Sequence, residues 1–420
     1  MFCFIMINLK LFKKNPDQIK NKILQKDPLF DFDSLFGLLQ QHNKINFEIS
    51  QFQEKINKLS IFSLGKNENL EKKKDEVKII KALLQKKKIE LEKIDIDFNH
   101  LLLSCPNITQ DDVPVGGKES NQIIKIVGEK PIFNFSVKNH LQLLEGYSGS
   151  DAYFGNKVAK SGFFCYKDKL AWLIYRLAMI CLKHNQSNGF SVIHIPQLAN
   201  TKTVTQAGNL PRFKDELFFL ENEELVLIPT AEVILASYLE NTCLDKKNLP
   251  IRLTSWTKCY RKEAGGYGSQ ERGLIRIHEF EKIEIFSYVL PEAAEKEHNM
   301  MVNCVEKLLN LLGLHYQLVL LASGDCSFSS SKTYDIELWL PGQQQYKEVS
   351  SISNCSDFQS RRSMAKYKND KNNDLLYTLN GSSLALPRLM VALIEYWQTE
   401  SGEINFDGLF SLLDTIEKNI

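Results

Sequence analysis

One segment of the chain concentrates residues that bind anions. Residues 259–280 read CYRKEAGGYGSQERGLIRIHEF and contain three arginines, Arg261, Arg272 and Arg276, together with four glycines. Guanidinium groups bind phosphates and carboxylates through paired hydrogen bonds. Glu263 follows Arg261 by two positions, so the two side chains share a face if a β-strand extends that far. This composition predicts a phosphate- or carboxylate-binding site, and the alternative is a surface hairpin with ordinary ion pairs.

Two β-prone runs, 251–256 and 282–289, flank this segment and predict a hairpin. Hairpin loops normally have about 2–5 residues, so a connection this long favours a functional loop. The chain contains neither a G-x-x-x-x-G-K-[ST] motif nor a G-x-G-x-x-G motif followed by a helix. A nucleotide bound by these arginines would therefore lie outside a P-loop or a Rossmann turn.

A carboxylate interrupts a second β-prone segment, YKEVSSISN at 346–354. Strict alternation would place positions 348, 350 and 352 on one face and positions 349, 351 and 353 on the other. Acidic residues are disfavoured within strands. An inward Glu348 would need a cation, and Mg²⁺ on a nucleotide is one candidate. The alternative is a Glu348 that faces solvent.

Two further segments place polar groups where a helix begins. In TLNGSSLALPR at 378–388, a strand and a small-residue turn lead to Pro387, which suits the first turn of a helix and is followed by Arg388. In IPTAEV at 228–233, Thr230 is a candidate N-cap and Glu232 suits the positive end of the helix dipole. Both segments have this structural explanation as the alternative to a binding role.

The elements that would position these groups begin with two long helices. Positions 38, 42, 45, 49, 52, 56 and 59 follow steps of four and three, and so do positions 77, 80, 84, 87, 91, 94, 98 and 101. His42 and Lys87 are the two polar positions in otherwise apolar seams, and such residues can fix the register. A glycine-containing turn at 63–69 joins the two runs. We expect an antiparallel coiled-coil arm that projects from the body, because no partner helices for a bundle follow Pro106.

The second helix of this arm is rich in lysine. Between positions 66 and 93 there are ten lysines against six acidic residues, a difference of four positive charges. Such a run is usually the solvated flank of a coiled coil. The alternative is an electrostatic surface for a phosphate backbone.

The remainder of the chain predicts an α+β body. Residues 105–155 are punctuated by glycine, proline and asparagine, which marks a domain boundary. Beyond them, β-prone runs follow one another with few helices between them: 191–195, 224–228, 251–256, 282–289, 316–321 and 333–339. Helices are expected near 167–185, 293–312 and 387–397. This order favours a largely antiparallel sheet that carries helices over a βαβ fold.

Composition excludes several classes of protein. The 420 residues include 52 basic and 51 acidic side chains, so the net charge is too small to attract nucleic acid. Binding to nucleic acid would require a local patch of basic residues. No stretch reaches the roughly 18 apolar residues of a membrane span. The nine cysteines are scattered without a C-x-x-C pair, which argues against disulfides and against structural zinc. With no recognisable signal or presequence, this predicts a cytoplasmic protein, and an organellar matrix is the alternative.

Several of these motifs, taken together and in order, resemble the seryl-tRNA synthetases of the bacterial and organellar type, which are class II aminoacyl-tRNA synthetases. The matching segments are Ile228–Val233, Tyr260–Gly265, Arg272–Phe280, Lys332–Gly342, Glu348–Ser351, Ser353–Cys355, Asp357–Gln359, Arg361–Arg362 and Thr378–Ser382. Asn8–Leu11, Pro106–Ile108 and Gly208–Phe213 extend the resemblance over nearly the whole chain.

The resemblance implies the fold and the domains. An N-terminal tRNA-binding domain would occupy 1–105, with a coiled coil at about 35–101. A linker and entry to the core would occupy 106–155, and a class II catalytic domain, an antiparallel β-sheet flanked by helices, would occupy 156–420.

The implied activity is serine–tRNA ligation: serine and ATP form seryl-adenylate, and serine passes to tRNA(Ser), with tRNA(Sec) as a further substrate. The implied partners are these tRNAs, ATP, L-serine and a second copy in a homodimer, without a membrane.

The resemblance also implies roles for individual residues. Arg261 and Arg388 would be catalytic. ATP, with Mg²⁺ and no prosthetic group, would be bound by Arg261, Lys262, Glu263, Phe280, Glu348, Val349, Ser350, Ser351 and Arg388. Mg²⁺ would be held by Glu348 and Ser351. L-serine would be bound by Thr230, Ala231, Glu232, Arg261, Glu284, Asn380 and Ser382. The tRNA would be bound by Lys72, Lys73, Lys74, Lys86 and Lys88.

The sequence departs from the family pattern in its third motif, where Ser383 and Pro387 replace glycines. We therefore expect the backbone to avoid positive φ at both positions. The hairpin loop has Ser269-Gln-Glu271 in place of Arg-Asp-Thr. Two other hypotheses compete with an active ligase: a catalytically silent paralogue that binds RNA or regulates, and a coiled-coil scaffold with a purely structural body.

Overall fold

A computed structural model of the protein describes residues 15–62, 70–145, 147–150, 152–263, 273–370 and 372–420. The chain divides into two units, one formed by Pro28–Cys105 and the other by Pro106–Ile420 together with the segment that ends at Asp27. The α-helices are α1 Pro16–Lys26, α2 Phe32–Phe62, α3 Leu70–Leu103, α4 His140–Leu144, α5 Ala152–Ala159, α6 Lys169–Ser187, α7 Thr201–Ala207, α8 Glu232–Leu235, α9 Ala294–Leu311, α10 Phe358–Ser363, α11 Leu386–Tyr396 and α12 Phe406–Asn419.

The β-strands all lie in the second unit. They are β1 Gln122–Val127, β2 Ser191–Val192, β3 Leu198–Asn200, β4 Leu225–Leu227, β5 Cys243–Leu244, β6 Ile251–Tyr260, β7 Glu279–Val289, β8 Tyr316–Leu320, β9 Lys332–Leu340, β10 Gln345–Asn354, β11 Lys366–Lys368, β12 Asn373–Leu375 and β13 Tyr377–Ala385.

The first unit contains a helical hairpin made by α2 and α3. Its contacts show the antiparallel register: the ring of His42 stacks on Phe98 with centroids 5.3 Å apart, and Lys87 Nζ lies 2.8 Å from a carboxylate oxygen of Glu48. His42 also lies 3.3 Å from Asp95. The two polar seam residues therefore make paired contacts across the hairpin. The predicted coiled coil is confirmed, and its predicted turn at 63–69 lies outside the described residues.

The second unit is built on an eight-stranded sheet with the order β1-β8-β9-β10-β13-β7-β6-β2. All neighbouring strands pair antiparallel except β2 and β6, which pair parallel. Helices α6, α9, α11 and α12 share one hydrophobic core with this sheet. The predicted α+β class with an antiparallel sheet is thus confirmed.

The segment expected to be a linker carries an edge strand of this sheet. Strand β1 lies within 106–155 and pairs with β8, yet most of its side chains are exposed. Its sequence, QIIKIV, lacks the alternation that reveals a half-buried strand, which explains why the pattern did not predict it. None of the described helices is long and apolar enough to cross a bilayer. All eight cysteines among the described residues are free.

Candidate active site

The β6–β7 hairpin, strand β10 and the junction of β13 with α11 line an open cavity of about 130 Å³. Five of the residues predicted to bind ATP line it: Arg261, Glu263, Phe280, Glu348 and Arg388. Arg276, Lys282 and Ser382 are also in its wall. The cavity is therefore a basic and aromatic site assembled from segments far apart in the sequence.

Arg261 lies just after β6 ends at Tyr260. Its Nε donates a hydrogen bond to the carbonyl of Pro229 at 3.3 Å, and its guanidinium carbon lies 5.4 Å from the centre of the Phe280 ring. An arginine over an aromatic ring gains a cation–π attraction that holds both groups in place. The guanidinium is thus oriented before any ligand binds.

Glu263 reaches the same cavity by a different route from the one expected. The strand stops before it, so alternation does not apply, and its φ of 52° turns the chain there. Its carboxylate forms an ion pair with Arg276, with 2.9 Å between Oε2 and Nη2. The segment 264–272, which includes Arg272, lies outside the described residues.

Arg388 occupies the first turn of α11, which begins Leu386-Pro387. Its Nη1 donates to the main-chain oxygen of Glu348 at 2.9 Å and lies 3.4 Å from the carboxylate oxygen Oε1 of the same residue. A proline at a helix start removes an amide that would have no helical partner. This local preference places the arginine in the wall of the cavity.

A β-bulge in β10 changes which of its side chains share a face. Glu348 pairs with Glu337 of β9, but Ser350 already pairs with Ile336, so Val349 is an extra residue in the strand. Since a bulge reverses the alternation that follows it, Glu348 and Ser351 lie on one face. The prediction that put Glu348 on the face of Ser350 and Ile352 was wrong. Val349 is buried in the core instead.

Asp335 is a residue of this face that the sequence analysis did not single out. It pairs with Ser351 across β9 and β10, it is buried, and its Oδ1 has no hydrogen-bond partner among the described residues. Burial, and then the nearby Glu348 carboxylate, raise the pKa of Asp335 well above its usual value. Buried carboxylates of this kind are compensated by a cation. No group of three or more metal-binding side chains occurs in the described part of the chain.

A second cavity adjoins the first, because Arg261 lines both. Thr230 and Glu232 are in its wall, together with Ser327 and Phe328. Thr230 Oγ1 accepts a hydrogen bond from the Glu232 amide at 3.2 Å. The N-cap of α8 is Ala231 and no side chain caps the helix, so the prediction of Thr230 as the N-cap was wrong by one residue.

The carboxylate of Glu232 is held by amides from two other segments. Its Oε1 accepts hydrogen bonds from Gln359 Nε2 at 2.6 Å and from Asn380 Nδ2 at 3.0 Å, and Gln359 is fixed in turn by Thr378. Burial, and then the Glu284 carboxylate, raise the pKa of Glu232 to about 7. Gln359 belongs to a segment that resembles a family motif, and no local pattern predicts its contact with Glu232.

Glu284 is buried and contacts Thr230. Its Oε2 accepts a hydrogen bond from Thr230 Oγ1 at 3.2 Å and lies 2.6 Å from Lys282 Nζ. Burial raises the pKa of Glu284, and Lys282 opposes that rise. Lys282 was missed by the sequence analysis, although it precedes Glu284 by two positions in a strand and must share its face.

Several predicted site residues lie away from the cavity walls. Lys262 is exposed near the ring of Phe218. Ala231 is buried, and the hydroxyl of the buried Ser350 donates to the Ser382 carbonyl at 2.5 Å. Any contact of Val349 or Ser350 with a nucleotide would have to come from the main chain.

The predicted tRNA-binding lysines lie on α3. Lys72, Lys74, Lys86 and Lys88 are exposed, and the side chain of Lys73 lies outside the described part of the structure. The helix thus presents exposed lysine side chains at both ends of this run.

The two departures in the third motif are accommodated without positive φ, as expected, since Ser383 and Pro387 are not among the residues with positive φ. Leu384 has a φ of 150° instead, beside the irregularity between β13 and β7. Ser383 is fully buried, and its hydroxyl donates to Asn185 Oδ1 at 2.7 Å. A partner from α6 therefore satisfies the added hydroxyl.

Comparison with known proteins agrees with this arrangement. A family model for the tRNA synthetase class II core domain (G, H, P, S and T) matches residues 213–397, and one for the seryl-tRNA synthetase N-terminal domain matches residues 6–109. The serine–tRNA ligase of Aliarcobacter butzleri is 40% identical over 405 residues, which cover 95% of this chain and 98% of that protein. The enzyme of Chlamydia abortus is 38% identical over 406 residues, which cover 95% and 96%.

The solved structures agree as well. A crystal structure of seryl-tRNA synthetase from Pyrococcus horikoshii complexed with ATP superposes with a TM-score of 0.90 and 29% identity, and it covers 97% of this chain and 98% of that one. The cavities, the helical hairpin and these relatives lead to one conclusion: the chain belongs to the seryl-tRNA synthetase family of class II aminoacyl-tRNA synthetases.

Proposed function

We propose that the chain ligates L-serine to the 3′ end of serine tRNA in two steps, both in the cavities that share Arg261. In the first step a carboxylate oxygen of serine attacks the α-phosphorus of ATP, and pyrophosphate leaves. In the second, a terminal ribose hydroxyl of the tRNA attacks the seryl carbonyl, and AMP leaves. The observation that carries the proposal is that Arg261 lies in the wall of both cavities.

The first cavity would bind ATP. Phe280 would stack on adenine, Glu263 would contact adenine or its ribose end, and Arg388 would hold the γ-phosphate. Arg261 would bind the α-phosphate beside the serine carboxylate, where negative charge develops as the phosphorus becomes five-coordinate. Oriented guanidinium groups stabilise such charge without covalent catalysis. The ATP in the Pyrococcus horikoshii complex supports a nucleotide as the ligand.

The second cavity would bind serine. Glu232 would accept the ammonium, Glu284 with Thr230 would accept the hydroxyl, and Asn380 and Ser382 would complete the pocket near Ala231. Because a buried carboxylate would lose its partner if alanine bound, alanine should be rejected strongly.

Glu348 and Ser351 are proposed to hold Mg²⁺ with ATP. The residues fit this role, since the bulge sets both on one face and the unpartnered oxygen of Asp335 lies on that face. When bound, the ion would neutralise phosphate charge. Glu348 would exchange its contact with Arg388 for this ligand.

The domains are proposed as 1–105 for tRNA binding, 106–155 as linker and entry, and 156–420 as the catalytic domain. The lysines on α3 would contact the backbone of the long variable arm of serine tRNA, and tRNA(Sec) is proposed as a second substrate. The free cysteines and the bacterial relatives support a cytoplasmic enzyme.

A homodimer is also proposed. Strand β1 lies at the edge of the large sheet and exposes Ile123, Ile124 and Ile126. An exposed apolar edge strand is unfavourable unless it is covered. Its coverage by a second copy would be measured as a mass of two chains in solution by light scattering.

The test of the reaction is serine-dependent exchange of pyrophosphate with ATP, together with charging of serine tRNA and of selenocysteine tRNA. We expect exchange with serine and far less with alanine. A silent paralogue would fold and show neither exchange nor charging. Arg261 and Arg388 both line the cavity, whereas a silent relative would be expected to lose at least one such arginine.

A further inference from the structure

A buried lysine in the wall of the first cavity contacts two of the groups proposed to bind serine. Lys282, in β7, is 7% exposed and is part of the wall of the first cavity. Its Nζ is 2.6 Å from Glu284 Oε2 and 2.6 Å from Thr230 Oγ1. Both partners are groups proposed to bind serine. The ammonium of Lys282 therefore lies among the atoms that receive the amino acid.

The charges of the pocket balance only when this ammonium is counted. Bound serine brings one positive and one negative group, and Arg261 faces its carboxylate. The serine ammonium can compensate one of the two carboxylates, Glu232 and Glu284. The other would be an uncompensated charge in a buried site, which is costly unless it is paired. Lys282 supplies the missing positive charge at a distance of 2.6 Å.

We propose that Lys282 is a positioning residue for serine: its ammonium keeps Glu284 ionised and oriented beside Glu232, so that both carboxylates are available to the substrate at neutral pH. This inference rests on the proposed function of the second cavity. Lys282 acts through Glu284 and Thr230 and takes no part in bond making.

The electrostatics of the neighbouring groups agree with this role. Burial raises the pKa of Glu284 and of Glu232, and Lys282 opposes the rise in both. Arg261 also opposes it, to a smaller extent. The thiol of Cys259 on β6 faces this group, and that of Cys355 lies near Glu232.

Burial raises the pKa of both thiols, so they are neutral at physiological pH and add no charge. Lys282 is the cation that contacts Glu284 directly, and its loss should raise the pH at which the two carboxylates are ionised together.

The competing role for Lys282 is phosphate binding, because the side chain also lines the first cavity. Its two polar contacts both join it to the serine pocket. A phosphate ligand would affect the KM of ATP, whereas a positioning residue for Glu284 would affect the KM of serine. The two roles therefore separate in kinetics.

The test is Lys282→Met in the full chain, assayed by serine-dependent pyrophosphate exchange from pH 6 to pH 9. We expect the serine KM at neutral pH to rise by at least about tenfold, with the ATP KM changed by less than about twofold. The serine KM should fall as the pH rises and the carboxylates ionise. We expect the pH at which it falls to be higher in the variant by at least about one unit, since a charge partner at this distance shifts a carboxyl pKa by that much or more.

Lys258→Met is the matched control. Lys258 lies on the neighbouring strand β6 of the same hairpin and forms an ion pair with Glu279. Thr257 pairs with Lys282 in the strand register and shares its face, so the next residue, Lys258, points to the other face of the sheet. Its replacement removes an ion-paired lysine of β6 and should leave both KM values and the pH profile unchanged.

The outcomes separate the inference from the proposed function. Absence of serine-dependent exchange in the unsubstituted protein would remove the proposed function itself. Normal exchange with an unchanged serine KM in Lys282→Met would overturn the inference alone, and so would a rise confined to the ATP KM.

Lys282→Arg and Lys282→Gln keep the inference testable if the methionine variant does not fold, as judged by circular dichroism. Arginine retains the charge and should keep the pH profile of the unsubstituted protein even if its bulk raises the KM. Glutamine keeps a hydrogen-bond donor without the charge and should show the shifted profile. The same profile in both variants would contradict the role of the charge.

Discussion

Arg261 lies in the wall of both cavities. We expect Arg261→Ala to reduce serine-dependent pyrophosphate exchange by at least about 100-fold, because it removes a donor that stabilises charge only as the transition state forms. Arg176→Ala is the control, since Arg176 is paired with Asp414 and Glu417 and lines neither cavity. Exchange near the unsubstituted rate in Arg261→Ala would contradict the phosphate assignment.

The raised pKa of Glu232 predicts that serine binding depends on pH. Its pKa is raised to about 7 by burial and by Glu284, so the carboxyl is increasingly protonated below that pH. Only the ionised form can accept the serine ammonium. We therefore expect kcat/KM for serine to rise by up to about tenfold per pH unit below pH 7 and to level off above it.

The control for this profile is Glu232→Gln, which should bind serine weakly at every pH and lose the rise near pH 7. A profile for the unsubstituted enzyme that is flat from pH 5.5 to pH 8 would show that the state of Glu232 does not govern binding. ATP saturation should be maintained throughout, so that the nucleotide does not contribute to the slope.

The bulge in β10 is the decisive feature at the scale of single elements. One extra residue, Val349, turns into the core and sets Glu348 and Ser351 on the same face as Asp335. A regular strand would have separated these two predicted ligands. The proposed Mg²⁺ ligands thus share a face because of a local irregularity and not because of the alternation of the strand.

Helix α3 carries the prediction for tRNA binding. Lys72, Lys74, Lys86 and Lys88 are exposed on this helix. Lys87 instead forms an ion pair with Glu48 across the seam of the hairpin. Lysine contacts with phosphates release counterions, so they make binding depend on salt. We expect the triple replacement of lysines 72–74 by alanine to weaken tRNA binding and to flatten its salt dependence, measured by filter binding between 50 and 200 mM salt.

The matched comparison is the triple replacement of lysines 86–88, which includes the seam residue Lys87. Its ion pairs with Glu48 and Glu90 would be lost, so stability has to be measured beside affinity. A replacement of 72–74 that leaves both the affinity and the salt slope unchanged would place tRNA recognition elsewhere.

At the scale of the whole molecule, the two units are expected to separate the two steps of the reaction. Every residue that lines either cavity belongs to the second unit. Deleting 35–101 and joining the ends with a short Gly/Ser link should therefore preserve pyrophosphate exchange and abolish tRNA charging. The link can be short because α2 and α3 run antiparallel, so the ends of the deletion lie together.

The deletion protein is assayed for both activities in parallel, with circular dichroism to verify folding. Loss of both activities in a folded protein would make the hairpin part of the catalytic site. Charging that persists at the full rate would mean that tRNA is recognised without the hairpin.

The sequence by itself determined the features that arise from local pattern. The seam with steps of four and three predicted α2 and α3, because that period places apolar residues on one face of a helix. The anion-binding composition of 259–280 predicted a site in the β6–β7 hairpin, and Arg261, Glu263 and Phe280 all line one cavity. These inferences needed only residue types and their spacing.

The tertiary structure decided what depends on register between distant strands. Glu284 and Thr230 are 54 positions apart, and Lys282 contacts both. The faces of Glu348 and Ser351 were set by a bulge that no composition indicates. Ser383 acquired its partner Asn185 from a helix 198 positions away. Such contacts follow from how strands and helices pack, and a local pattern contains no information on which distant side chain will satisfy a buried charge or hydroxyl.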